Sequence, residues 1–181
     1  YGHQAQTTAD NSVVIGDANV TSIGGYAAWS NLSDGRFKKN VESNVVGLDF
    51  IMSLEPVTYN YDIKKLNKFI GVDNDDEKSL QAKESNIYSG FIAQEVERAA
   101  NSVNYDFSGV IKPQNENDHY KIAYSDFVVP MVKAMQEQQE MIDLLKKNNN
   151  LQQFQILELK AMVEELLNDK KKLVLTSSLT K

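Results

Sequence analysis

Apolar positions recur along this chain in three rhythms, and each predicts a different kind of element. In residues 1–32 small polar residues alternate with β-branched ones, as in Asn11-Ser12-Val13-Val14-Ile15-Gly16 and Asn19-Val20-Thr21-Ser22-Ile23-Gly24, where a related pattern returns after eight residues. That rhythm predicts short strands separated by glycine turns, the end of a β-helix or β-prism-like fibre. One such strand pair buries too little to stand alone, so copies from other chains are expected to complete it. Between residues 33 and 127 the rhythm is mixed. Leu48, Ile51 and Met52, spaced i, i+3 and i+4 within 45–54, suit a short helix closed before Pro56. Val57, Tyr59 and Tyr61 alternate with polar residues and predict a half-buried strand. Residues 62–88 are charge-rich and read as a polar excursion from the core. Residues 90–93 predict a short buried strand leading into a helix over 94–102, and Val110-Ile111 with Tyr120 to Tyr124 predict a hairpin.

The third rhythm starts at Val128 and continues to the C-terminus. With Pro130 tolerated in its first turn, a long helix places Val128, Met135, Ile142, Asn149, Ile156 and Val163 at heptad position a. Met131, Gln138, Leu145, Gln152, Leu159 and Leu166 fall at position d. About six heptads of this kind predict a coiled coil, hence an oligomer of unspecified strand number. Asn149, Gln138 and Gln152 would be polar layers that fix register at a cost in stability.

Charge supports the same three-part division. Residues 1–32 carry only Asp10 and Asp17, residues 33–127 carry 11 basic and 16 acidic side chains, and residues 128–181 carry 8 and 7. The net charge of −6 argues against a nucleic-acid partner. No apolar run is long enough for a spanning helix, so no membrane partner is expected either. Without cysteine there is neither a disulfide framework nor a cysteine-based zinc site. Asp73, Asp75, Glu77, Ser79 and Glu84 fall at positions 1, 3, 5, 7 and 12 of a calcium loop, but Lys78 stands where that loop needs glycine. A solvated acidic loop is the better reading, and neither metal nor cofactor is expected. His119 reads as structural, His3 lies in the leader, and Tyr26 and Trp29 read as packing anchors. The chain opens on Tyr1 rather than on Met and is expected to be a piece of a longer polypeptide.

One stretch carries candidate chemistry, Ser33-Asp34-Gly35-Arg36-Phe37-Lys38-Lys39-Asn40. A serine and a lysine can supply a nucleophile and a base without histidine, provided burial or neighbouring positive charge lowers the amine's affinity for its proton. Arg36 and Lys39 are at hand to provide that charge. Positions five apart lie on different faces of a helix and on opposite faces of a strand, so Ser33 and Lys38 meet only across a bend, expected at Gly35.

This stretch, together with Leu54-Glu55-Pro56-Val57-Thr58-Tyr59-Asn60-Tyr61, Gly90-Phe91-Ile92-Ala93-Gln94-Glu95-Val96 and Ala134-Met135-Gln136-Glu137-Gln138-Gln139, resembles the intramolecular chaperone domain of the S74 peptidase family. That domain closes phage tail spikes, tail fibres and endosialidases and also occurs in the myelin regulatory factors. The resemblance implies a homotrimer that helps an upstream β-rich fibre of the same polypeptide to fold and then releases itself as a single-turnover serine endopeptidase. It implies Ser33 as nucleophile, Lys38 as general base and Leu32-Ser33 as the scissile bond. Asp34, Gly35 and Arg36 would shape the turn, and Gln94 and Glu95 would either support the dyad or simply start a helix.

The fold expected is therefore α+β in three parts: a β-rich fibre end (1–32), a small mixed α/β globular domain (33–127) and a long C-terminal helix in a trimeric coiled coil (128–181). The coiled-coil core would comprise Met135, Ile142, Leu145, Asn149, Ile156, Leu159, Val163 and Leu166. The expected setting is a phage tail or a bacterial surface fibre, with the chaperone part acting in the cytoplasm during assembly. Three other readings were weighed. A non-cleaving trimerisation cap predicts an intact chain, and a glycan-binding stalk predicts binding that survives loss of residues 128–181. A regulator of the myelin-factor type would need a DNA-binding domain that these residues do not contain.

Overall fold

A computed structural model describes residues 2, 5, 7–16, 20, 22–71 and 77–178. The chain divides into two units, 1–134 and 135–181. In the first, a 3-10 turn at Gly35–Phe37 precedes α1 (Leu48–Met52), β1 (Val57–Tyr59), α2 (Ile63–Ile70) and α3 (Glu77–Glu84). β2 (Tyr88–Gly90), α4 (Ala93–Ser102), β3 (Val110–Ile111) and β4 (Lys121–Ile122) follow, and a second 3-10 turn, Tyr124–Phe127, leads into α5 (Val128–Ser178). This is the mixed α and β architecture the sequence predicts.

Two antiparallel ribbons frame the core. β1 pairs with β2 in the register Val57 with Gly90 and Tyr59 with Tyr88, and β3 pairs with β4 with Val110 opposite Ile122. α4 lies against β3 and buries Val96, Ala99 and Ala100, the i, i+3, i+4 stripe of an amphipathic helix. An aromatic cluster closes the core. Phe50 is fully buried, with ring centroids 4.8 Å from Phe107 and 5.2 Å from Tyr105, and Phe91 stacks on Phe127 at 5.3 Å. Glu97 on α4 accepts from the Tyr120 hydroxyl at 2.9 Å and pairs with Lys112, which ties the second ribbon to the helix.

Several expectations need correction. α1 forms where predicted, with Ile51 packed against the core and Leu48 half-buried, but the residue it buries fully is Phe50, and Met52 is 75% exposed. With barely more than one turn, its orientation follows the largest apolar side chain rather than a periodic stripe. The polar excursion of 62–88 contains two helices. The Asp62 side chain caps α2 by accepting from the Lys65 amide at 2.8 Å, Gly71 ends the helix in a left-handed conformation, and Ile63 and Leu80 are buried.

Within the calcium-like pattern Asp73 and Asp75 lie outside the described residues. Glu77 and Ser79 are helical, Glu77 pairs with Lys64, and the Glu84 carboxylate accepts from the Ile63 amide at 3.1 Å. These acidic groups serve helix ends and an ion pair, and residues 77–84 do not form a calcium loop.

The leader differs too. Among the described residues of 1–32 there is no strand, so the short strands expected there are not seen in the single chain. Asn19 and Thr21, part of the second repeat, lie outside the described residues, as does His3. Tyr26 is fully exposed and Trp29 is 85% exposed, so neither is a packing anchor in the single chain.

α5 runs without a break from Val128, and Pro130 is buried in its first turn. In the second unit the seam residues Met135, Ile142, Leu145, Ile156, Leu159, Val163 and Leu166 are all between 39% and 69% exposed. Met141, Leu144, Leu151, Phe154 and Leu157, off that seam, are exposed as well. Among the described residues no helix is long and apolar enough to cross a membrane.

Candidate active site

The turn at Ser33 is built by its neighbour. Asp34, in extended backbone, accepts from the Arg36 amide at 2.9 Å, and its carbonyl accepts from the Phe37 amide at 3.1 Å. Those bonds wind Gly35–Phe37 into a 3-10 turn that Lys38 leaves in extended backbone, with its amide bonded to the Gly35 carbonyl at 3.2 Å. Three residues per turn followed by an extended one carry the Lys38 side chain back toward Ser33. Lys38 Nζ donates to Ser33 Oγ at 3.0 Å. At that separation a deprotonated amine would accept from the serine hydroxyl instead.

Gly35 contributes less than expected. Its φ is not left-handed and a Cβ there would meet nothing within 4 Å, so the bend comes from the Asp34 cap rather than from glycine. Arg36 is also differently employed. Its guanidinium grips the Asp34 carboxylate through Nε at 2.9 and 3.1 Å as well as through the terminal nitrogen, and it lies 5.6 Å from the centre of the Phe37 ring. That side-chain bond, followed by the one from the Arg36 amide, holds the Asp34 carboxyl below its ordinary range. A guanidinium compensated in this way is no longer a free charge beside Lys38.

Ser33 and Lys38 are both exposed in the single chain. So are Leu32 at 82% and Phe37 at 69%, which leaves apolar surface on either side of the pair uncovered. Among the described residues neither Gln94 nor Glu95 bonds to Ser33 or Lys38. Glu95 pairs with Arg98 at 3.5 Å, in the first turn of α4. Gln94 faces a cavity of about 920 Å³ lined by Tyr59, Tyr61, Tyr88, Phe91 and Tyr124. Sequence reading missed this cavity. Beside it a Cβ on Gly90 would collide with the Tyr124 hydroxyl, which accepts from the Phe91 amide at 3.2 Å. The tyrosines alternate on one ribbon and were legible only as a strand face. Among the described residues no cluster of three or more His, Asp or Glu side chains is placed to hold a metal ion.

The Ser–Lys pair on its capped turn stands at the head of a small α+β domain. Residues 33–105 of the chain match the model of the Peptidase_S74 family, described as the chaperone of endosialidase. The match begins at Ser33 and spans three of the four motifs that carry the resemblance, which is thereby borne out over this stretch; the motif at 134–139 lies beyond it. No curated protein and no solved structure matches the chain.

Proposed function

We propose that this chain is a homotrimeric intramolecular chaperone that registers an upstream β-rich fibre of its own polypeptide, on a phage tail or a bacterial surface, and then releases itself by cutting Leu32-Ser33. The 3.0 Å approach of Lys38 Nζ to Ser33 Oγ, at the first residue of the family match, is the observation that carries this reading. The exposed seam of α5 supports trimerisation, because apolar residues repeating every 3.5 positions are stable only when covered by other helices. Pairing α5 first would bring the leader strands of three copies together and raise the effective concentration of slow non-local β contacts.

In the cleavage step Ser33 Oγ attacks the carbonyl carbon of Leu32 while Lys38 takes the hydroxyl proton. The C–N bond of the tetrahedral adduct then breaks, the Ser33 amine leaves with a proton, and an ester joins Leu32 to Ser33 Oγ. Water hydrolyses that ester, which returns the Ser33 hydroxyl and frees the Leu32 carboxylate. The nucleophile is attached to its target, so proximity supplies much of the acceleration, and each site fires once. An amine becomes a base for serine only in a desolvated or positively charged setting. With Lys38 exposed and Arg36 compensated by Asp34, assembly is the step that would supply it, by covering Leu32, Phe37 and the pair between them.

The same exposure favours a second reading, a trimerisation cap that never cuts. Denatured intact mass of the assembled protein beside its Ser33→Ala and Lys38→Ala variants separates the two. Cutting at Leu32-Ser33 in the parent alone supports the self-processing chaperone. Three intact masses from assembled trimers would reduce the domain to a registration cap.

A further inference from the structure

The leader is not loose along its whole length. Residues 22–33, which contain the proposed scissile bond, are all exposed, yet further upstream the leader bonds to the domain at Thr8 and borders its cavity at Val20. Thr8 is the first of these two points. Its Oγ1 donates to Asp118 at 2.8 Å, and its carbonyl accepts from Asn115 Nδ2 at 2.7 Å. The Asp118 side chain is 1% exposed and also accepts from Lys121 Nζ at 2.6 Å and from the Gln114 amide at 3.1 Å. An ionised carboxylate only accepts hydrogen bonds, so the place filled by Thr8 is selective for a hydroxyl or another donor.

Val20 is the second: 42% exposed, it is one of the residues that border the tyrosine cavity. Tyr120, Lys121 and Ile122, the strand that follows Asp118, form another wall of that cavity. Gly16, buried with a φ of +78°, has no room for a Cβ against the Val20 side chain, so the leader turns there on a residue that only glycine replaces without strain. The polar contact thus falls on the hairpin's loop, and Val20 borders a cavity that the hairpin's second strand helps to line. Thr8 and Val20 are of the two residue types in which the leader is rich: hydroxyl-bearing and β-branched.

We propose that the β3–β4 hairpin is a client-holding cradle whose occupant is the leader of its own chain, gripped at Thr8 by Asp118 and Asn115, with Val20 placed at the rim of the tyrosine cavity. Its consequence, that the fibre end stays seated after Leu32-Ser33 is cut, rests on the cleavage reading; the grip itself does not. A cut within the exposed residues 22–33 leaves every contact of Thr8 and Val20 in place. The domain would thus hold its folded product until a competing contact, such as pairing of leader strands between copies, draws it out.

The test uses the full chain carrying Ser33→Ala, so that self-cleavage plays no part, with a specific protease site inserted between Gly24 and Gly25. After the cut, the sample is diluted and passed through gel filtration, and the mass of each fraction is read. The leader piece is expected to elute with the domain. Thr8→Val, which alters only the departing piece, should weaken retention about tenfold, the loss expected for a charge-assisted hydrogen bond to a buried carboxylate. Asp118→Ala should do the same, with amide exchange in α4 confirming an intact core. A leader piece that leaves parent and Thr8→Val chains at the same dilution, or stays equally on both, overturns the cradle. Intact masses of the Ser33 chain test the cleavage reading separately.

Discussion

Replacing Phe50 by alanine tests where the core of the first unit lies. Phe50 has no exposed surface, and its ring meets Phe107 at 4.8 Å, Tyr105 at 5.2 Å and Phe127 at 6.3 Å. Burying a phenylalanine and then removing it costs about 3–5 kcal/mol, because the lost transfer free energy is joined by a cavity that neighbours fill only in part. Three aromatic neighbours place this site toward the upper part of that range, since each well-oriented ring pair adds about 0.5–1.5 kcal/mol beyond its area. A domain stable by about 5–15 kcal/mol loses a third or more. With a urea slope of about 2 kcal/mol per molar, the midpoint should fall by roughly 2 M. The probe matters, because α5 dominates the far-ultraviolet helical signal. Near-ultraviolet dichroism of the aromatic cluster, or amide exchange within α4, follows the correct unit. Met52→Ala, two residues on and 75% exposed, should change stability by no more than about 0.5 kcal/mol. Equal midpoints for the two variants would refute the assignment of the core to Phe50 and return Met52 to it.

Two further outcomes follow from the ion pairs and from the seam. Asp118 is held far below its ordinary value of 3.8, chiefly by Lys121, then by the Gln114 amide and Thr8. A carboxyl with a depressed folded-state pKa contributes stability that is complete above the unfolded value and lost as pH falls through the folded one. Stability should therefore decline below about pH 4, and Asp118→Asn should flatten that acid limb in melts recorded between about pH 2 and 6. Asn149→Leu at a seam position should raise the melting temperature of the assembly while loosening its strand number, read by light scattering; a lower melting temperature would remove Asn149 from the proposed core.

What was legible in the sequence divides by the range of the interaction. The helix over 94–102, the second ribbon and α5 depend on residues close in sequence or on a sustained period, and pattern located them; Ser33 and Lys38 needed the family resemblance as well, and the strand expected at 90–93 lies instead at Tyr88–Gly90, paired with β1. The bend at Ser33 was foreseen but attributed to Gly35, because glycine is the commonest source of such turns; Asp34 does the work, its carboxylate accepting from the Arg36 amide and its carbonyl from the Phe37 amide. The helices within 62–88 were hidden because their apolar residues are few, although Asp62 as a cap and Gly71 as a stop were both on view. Nothing local announces Asp118 and Thr8, which are 110 positions apart. A buried carboxylate whose partners are a lysine three residues later and a hydroxyl from the leader exists only once the chain has folded.

The two contacts of the leader also bear on the order of events. If cutting Leu32-Ser33 were sufficient for release, nothing would hold the leader to the domain beyond the exposed residues 22–32, and premature cleavage would lose an unfolded fibre end. A leader seated at Thr8 and Val20 survives the cut, because neither contact depends on the bond broken. Departure then requires that something compete for the same groups. In a trimer the natural competitor is the leader of a neighbouring copy, whose strand pairing would draw Thr8 from Asp118. Cleavage would remove the covalent tie and interchain folding the non-covalent one. Release would then require both, and the second is available only to a fibre end that has folded.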